Sequence, residues 1–311
     1  MIRSVLRPPI WRVLRCVVVG VFNVPCYHPQ AAWRTPSTGS VVFVGPGQFT
    51  NLTLPCGQCI GCRQERSRQW AVRIMHEAAL HTDSCFITLT YSEANCPEDM
   101  SLDKRDLQKF FKRLRKHHDV RYYACGEYGP LHGRPHFHAC VFGWRFPDRV
   151  KFGSNFDRSL ELESLWRLGN SSVGDVTFDT AGYTAGYICD KKTGFMAKRH
   201  YEFVVPSTGE IIQKQPERAW MSLKPGIGSD FYDKYREDIY PHDYVVVRGV
   251  KCKPPRYYDK KFEAMFADEF EKIRLQREMD AELRFLDNTP ARLAVREQCV
   301  RAAVVKRTKE F

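Results

Sequence analysis

Residues 134–142 (RPHFHACVF) constrain this chain more than any other segment. Histidine and apolar positions alternate there with the period of a β-strand, in which residues two apart share a face. His136 and His138 therefore project together, while Phe137, Ala139 and Val141 turn the other way into apolar packing. Two imidazoles side by side can clamp a metal, and a carboxylate from a neighbouring strand would complete a mixed nitrogen and oxygen site suited to Mn²⁺ or Mg²⁺. Glu127, nine residues earlier on the preceding strand, is the candidate third ligand if the two strands form a hairpin. Other acidic residues remain open for that place, and the plainer alternative is a hydrogen-bonded histidine pair on a half-exposed strand.

Around this run the pattern alternates between helix and strand. Trp70, Ile74, Met75 and Ala78 recur at helical spacing over 64–80. Residues 85–91 (CFITLTY) are β-branched and aromatic and are expected to form a buried strand. Ser101 is the expected cap of a helix that turns Leu107, Phe110, Phe111 and Leu114 inward. Its other face carries Lys104, Arg105, Lys109, Lys112, Arg113, Arg115 and Lys116. Strands are expected at 120–125 and 134–144, with Gly129, Pro130 and Gly133 in the turn between them. A helix at 158–168, a strand at 173–178 and a short helix capped by Thr180 and running to about Lys192 follow. The order implies an α+β fold with a largely antiparallel central sheet flanked by helices. A charged amphipathic helix over 262–286 lies beyond it, in a helical C-terminal region, 251–311.

Tyr183 and Tyr187 are four apart in the segment AGYTAGY, so on a helix they share a face, and Lys191 continues that stripe by another turn. Gly182 and Gly186 cost such a helix about 1 kcal/mol each against alanine, and their small size leaves room for another backbone or for DNA. A phenol can attack a phosphodiester where a metal draws charge from the phosphate. Alone, the pair reads equally as two tyrosines packed on a sheet.

The formal charge of +12 and the pI of about 9.1 favour a polyanionic partner. No apolar run approaches the roughly 20 residues that span a bilayer. Twelve cysteines in a long, charged chain, several within apolar stretches such as Cys85, Cys140 and Cys189, read as reduced thiols in a cytosolic protein. Cys56, Cys59 and Cys62 stand out for their double C-x-x-C spacing. Structural zinc, an iron–sulfur cluster or free thiols in a tight turn all fit, and Cys26, His28 or Cys85 could supply a fourth ligand. Arg3, Arg7, Arg12 and Arg15 mark residues 1–23 as a basic extension, either a tail or a segment upstream of the true start.

Taken together, the motifs resemble the HUH endonuclease superfamily. His136-Phe137-His138 matches its metal motif, residues 86–91 (FITLTY) its first motif, and Tyr183 with Tyr187 its third motif in the two-tyrosine form. The resemblance is closer to the replication initiators of small single-stranded DNA phages of the microvirus family, gokushovirus type. It runs in order through Cys26-Tyr27-His28-Pro29, 55–62 (PCGQCIGC), 68–71 (RQWA), 125–129 (CGEYG) and 221–228 (MSLKPGIG). It implies an HUH domain over 24–250 that takes up the cysteine cluster. It also implies a metal held by His136, His138 and Glu127, and a tyrosine that nicks single-stranded origin DNA to leave a 5′-phosphotyrosine and a 3′-hydroxyl for rolling-circle replication. A host DNA polymerase and helicase would act with it in the cytoplasm of the infected bacterium. Many relatives carry lysine three residues after the second tyrosine; here Asp190 stands there, and Lys191 or Lys192 is the candidate substitute. Two rival readings share part of this pattern: an HUH relaxase or transposase, and a zinc-bearing nucleic-acid-binding protein without catalysis.

Overall fold

A computed structural model describes residues 26–35, 38, 40–43, 52–129, 133–152, 156–191 and 195–308, with the side chains of 187–190, 195–196 and 305–308 excepted. The basic extension expected over 1–23 lies outside the described residues, as do Pro130 and Lys192. The chain divides into two compact units, Arg66–Glu237 and a second that joins Met1–Glu65 to Asp238–Phe311.

In the unit built from both chain ends, β1 (Gln30–Arg34), β2 (Val41–Phe43) and β3 (Leu52–Leu54) form an antiparallel sheet with β1 in the middle. Helix α1 (Ile60–Ala78) follows.

Unit Arg66–Glu237 is organised by a seven-stranded sheet. Its elements in chain order are β4 (Ser84–Tyr91), α2 (Lys104–Leu114), β5 (Arg121–Tyr128), β6 (Pro135–Phe142), β7 (Val150–Phe152), β8 (Phe156–Arg158), α3 (Leu160–Trp166), β9 (Gly169–Gly174), α4 (Phe178–Asp190), α5 (Phe195–Tyr201), β10 (Glu202–Val204), β11 (Ile211–Gln213) and β12 (Arg218–Met221). The strands stand in the order β12-β5-β6-β4-β9-β8-β7, every neighbour antiparallel. The fold is α+β with a large antiparallel sheet and flanking helices, as the alternation of patterns implies.

Strand parity assigns the sheet's two faces different coverings. One face sets Ile87, Leu89, Ala124, Phe137, Ala139 and Val141 against Leu107, Phe110, Phe111 and Leu114 of α2 and Leu162, Leu165 and Trp166 of α3. The opposite face packs Phe86, Tyr123, Cys140 and Phe142 against Ala71 and Ile74 of α1 and Ala181 of α4. At its other end that second face carries no apolar side chains on β6, but the two histidines.

Several boundaries differ from the sequence expectations, each for a local reason. Asp103, not Ser101, caps α2: its carboxylate accepts from Arg105 N at 2.8 Å, while Ser101 Oγ accepts from Gln215 N at 2.9 Å. Arg113 leaves the basic face of α2 to donate to the carbonyls of Leu165 and Trp166 at 2.7 and 3.2 Å, satisfying the end of α3. The strand expected at 173–178 is β9, which ends at Gly174, and Phe178 begins α4. Thr177 caps α4, and Thr180 is its partner three residues on in a reciprocal capping box.

The chain then continues with α6 (Ser229–Ile239), β13 (Val245–Val247), β14 (Val250–Cys252), α7 (Arg256–Met265), α8 (Ala267–Leu283) and α9 (Pro290–Thr308). The single helix expected over 262–286 is broken at Phe266 (φ −137°, ψ 61°). Phe262 stacks on Tyr240 at 3.9 Å and meets Phe266 and Phe270 at 5.0 and 6.4 Å, so the break gathers the aromatic side chains of both helices. Arg277 of α8 holds the arrangement by reaching Asp243 at 2.5 Å and Asp259 at 2.9 Å. Among the described residues no helix is long and apolar enough to cross a membrane.

β9 enters the sheet at Gly169, whose φ is +153° and whose added Cβ would lie 2.1 Å from Ser92 N and 2.4 Å from Thr90 O. Both obstacles are backbone, so no rotamer change relieves them. Gly169→Ala is expected to cost more than the roughly 1–3 kcal/mol of ordinary overpacking, read as a fall in the urea midpoint at unchanged m-value.

Candidate metal and tyrosine site

The hairpin register brings the expected ligands together. β5 and β6 pair Glu127 opposite His136 and Cys125 opposite His138, and β4 and β6 pair Thr88 opposite His138. Ligand atoms of Glu127, His136 and His138 all lie within 4.8 Å of one another. Both imidazoles aim Nε2 at one carboxylate oxygen, Glu127 Oε1, His136 at 2.5 Å and His138 at 2.8 Å. Glu127 and His138 are each 5% exposed.

The far side of each ring is also held. His136 Nδ1 lies 3.0 Å from the carbonyl oxygen of Arg134, which can only accept, so Nδ1 carries the proton. A neutral His136 then presents a bare lone pair at Nε2 to the carboxylate. That contact is tolerable only if the ring is an imidazolium or a cation sits among the three groups. His138 Nδ1 lies 3.0 Å from Thr88 Oγ1, a hydroxyl that can donate or accept and so allows either tautomer. Glu127 Oε2 is buried with no hydrogen-bond partner among the described residues. Convergent nitrogens, a second oxygen left unsatisfied and a fixed outer ring of partners are what a divalent cation requires. The donor set fits Mg²⁺ or Mn²⁺.

Burial pushes the Glu127 carboxyl upward, but hydrogen bonding to His136 and His138 and their charge outweigh it and hold the group down at about 2. Gly129 makes room for the cluster, since a Cβ there would lie 3.2 Å from His136 Cε1.

Tyr183 reaches the same place from α4. Its ring meets that of His138 edge-on, centroids 5.1 Å apart, and the side chain is 47% exposed. The helix is positioned by its capping box, by burial of Ala181 and Ala185, and by Ser67 Oγ of α1, which donates to Gly182 O at 3.0 Å. Gly186 packs towards Ser67, whereas a Cβ at Gly182 would meet nothing within 4 Å. Tyr187 follows four residues on in the same helix. Lys191 comes after the last residue of α4, where the backbone leaves the helical region (φ −46°, ψ 123°), so the helical stripe stops one residue short of it. It instead lines a cleft of about 580 Å³ with Asp103, Arg105, Gln215, Arg218 and Trp220.

Thr88 went unassigned in the sequence, although Phe86, Thr88 and Thr90 alternate on β4 and two hydroxyls on so buried a strand are a usable signal. The backbone carbonyl of Arg134 leaves no trace in sequence at all.

Cys56, Cys59 and Cys62 gather in the other unit, and their fourth companion is Cys26. Cys85 is instead fully buried in the sheet core, and His28 pairs with Glu297 at 2.7 Å.

Two outcomes follow. Thr88→Val keeps the volume but removes the partner of His138, and is expected to weaken Mn²⁺ binding about 10- to 100-fold by titration calorimetry. The depressed Glu127 carboxyl adds stability that is present above pH 4.5, its ordinary value, and lost as the pH falls towards about 2. The stability difference between the native chain and Glu127→Gln should therefore narrow over that window in acid titrations of the folded state.

Residues 84–193, the span that holds the cluster and α4, match the family model for replication-associated proteins of the ORF2 type. The chain is 32% identical over 243 residues to Replication-associated protein ORF2 of Spiroplasma virus 4, covering 71% of each. It is 30% identical over 252 residues to Replication-associated protein VP4 of Bdellovibrio phage phiMH2K, covering 75% of each. Replication-associated protein ORF4 of Chlamydia phage 1 is 27% identical over 239 residues, 72% of this chain and 57% of that one. No solved structure matches the chain. On that identity and coverage, the chain belongs to the phage replication-associated protein family.

Proposed function

We propose that this chain is a replication initiator that nicks single-stranded origin DNA through a tyrosine and later rejoins the strand. The observation that carries the reading is the convergence of Glu127, His136 and His138 beside the half-exposed ring of Tyr183. A buried chelating group next to an accessible phenol is a pairing that sheet packing alone does not call for. Mg²⁺ or Mn²⁺ held by the three residues would supply Lewis-acid withdrawal of charge from a phosphate.

The remaining chemistry belongs to the chain. A free tyrosine, with its pKa near 10, is ionised in only about one molecule in a thousand at neutral pH, so the phenol must lose its proton as it attacks. Tyr183 Oη bonds to phosphorus, the bond from phosphorus to the 3′ oxygen breaks, and that oxygen leaves as a hydroxyl after taking a proton from solvent. One phosphodiester is exchanged for another, a 5′-phosphotyrosine, so rejoining needs no ATP. Tyr187 can attack the regenerated origin in the same way after one round and release a closed circle. Lys191 is the candidate to hold a phosphate, and the exposed Lys104, Arg105, Lys109, Lys112 and Lys116 of α2 offer a basic face to the DNA backbone. The free 3′-hydroxyl would be extended by a host polymerase, with a host helicase, in the cytoplasm of the infected bacterium.

The test is to incubate the full chain with circular single-stranded DNA containing the origin and with Mn²⁺ or Mg²⁺, and to look for a denaturant-resistant protein–DNA adduct. The adduct is expected to need metal, to fall at least about 100-fold in Glu127→Gln, as for loss of a group that acts in the transition state, and to vanish in the Tyr183→Phe, Tyr187→Phe double variant. DNA that is bound yet neither cut nor linked under any metal would overturn the reading and favour a binding protein without catalysis.

A further inference from the structure

We propose that Cys26, Cys56, Cys59 and Cys62 hold one structural zinc ion that ties the start of the described chain to the first turn of α1 and to α9. Their four Sγ atoms lie within 4.8 Å of one another, and Cys26 and Cys59 are 3.9 Å apart. Four thiolates at about 2.3 Å from one tetrahedral ion stand about 3.8 Å from each other. The observed spacing therefore suits a single ion. A cubane iron–sulfur cluster places each cysteine on a separate iron and holds the sulfurs farther apart.

Distance alone would leave reduced thiols as a rival, and the backbone decides between them. Cys56 N donates to Cys26 Sγ at 3.1 Å, Cys59 N to Cys56 Sγ at 3.3 Å, Tyr27 N to Cys59 Sγ at 3.3 Å and Cys62 N to Cys59 Sγ at 3.5 Å. Neutral thiols are weak acceptors, so a loop that directs four amides at three sulfurs is arranged for thiolates. Four thiolates around one Zn²⁺ carry a net charge of −2, and N–H donors spread that charge. The double C-x-x-C spacing and the left-handed Gly57 (φ +73°) bend the loop so that the amides point inward. No disulfide links any of the four, and Cys59 is buried.

The ion's structural part follows from what surrounds it. Tyr27, Cys59 and Leu293 form a small buried cluster with Ile60 and Val300 packed on it. Glu297 of α9 pairs with His28 at 2.7 Å and with Arg301 at 2.7 Å. Three large apolar residues are a slight core for a layer of short strands and one helix, and small modules of this kind commonly rely on a metal.

The test measures the metal content of the full chain, expressed with zinc in the medium and dialysed against a weak chelator. Native protein and the His136→Ala, His138→Ala double variant should each retain one zinc per chain, while Cys26→Ser and Cys59→Ser should lose it. Since those variants can also misfold, a second measurement uses the native chain. Replacing zinc with Co²⁺ should give the intense thiolate-to-metal charge-transfer band and the visible bands of a tetrahedral four-sulfur site. A native chain that carries no zinc, one that carries iron instead, or Cys26→Ser protein that keeps its full zinc would each overturn the proposal. None of these outcomes bears on adduct formation at Tyr183, so the two proposals stand or fall separately.

Discussion

The register between β5 and β6 is the constraint on which the candidate site depends. Glu127 faces His136 because the two strands pair in that alignment, and a shift of one residue would turn Glu127 towards the α2 face and bring Gly126 or Tyr128 into its place. Such a slip would also move Phe137, Ala139 and Val141 out of the core that receives Phe110, Phe111 and Trp166. The apolar face therefore fixes the polar one. Burying the aromatic layer under α2 and α3 holds three ligand groups in line on the opposite side, and neither needs a loop to find its place.

The tyrosine helix adds a second level of positioning, and it is held mostly from outside its own propensity. Two glycines and two threonines make α4 a poor helix by itself. Its Thr177–Thr180 capping box, its two buried alanines and the bond from Ser67 to Gly182 compensate and fix where Tyr183 emerges. The residues that weaken the helix also keep its surface low: the open space over Gly182 lies one residue from an exposed phenol. Local stability is given up where a ligand as bulky as a DNA strand would need to approach.

The sheet and the ligand cluster were legible because they follow period-two alternation, which sequence displays directly. His136, His138 and Glu127 could be read from parity and one hairpin, and Phe110 and Phe111 from helical spacing. What escaped depends on contacts between distant segments. Asp103 wins the cap of α2 because Ser101 is drawn to the backbone of Gln215, more than a hundred residues away. The break at Phe266 comes from aromatic partners, Tyr240 among them, that no local pattern links. Cys26 could be named only as one of three candidates beside Cys56, Cys59 and Cys62, since the choice rests on how the intervening strands fold back. Lys191 shows the limit of helical arithmetic, which assumes that the helix continues.

The segment 221–228 shows how a motif can matter without touching the chemistry. Its residues reach across the face of the sheet that carries the histidines and are bound at several backbone groups. Arg121 donates to Pro225 O at 2.7 Å, Arg73 to Ile227 O at 3.0 Å, and Gly228 N to Glu77 Oε2 at 2.6 Å, while Ile227 is fully buried against Ala71 and Ile74. Glu77 is 2% exposed and also pairs with Arg121, so it is a buried charge satisfied from two directions. Removing one partner from such a pair typically costs about 3–5 kcal/mol, because the other charge stays buried. The strap thereby locks β5 to α1 behind the ligand cluster. β5 is the strand that carries Glu127, and α1 is the helix whose Ser67 holds the tyrosine helix. A motif remote from both His136 and Tyr183 thus sets the distance between the elements that bear them.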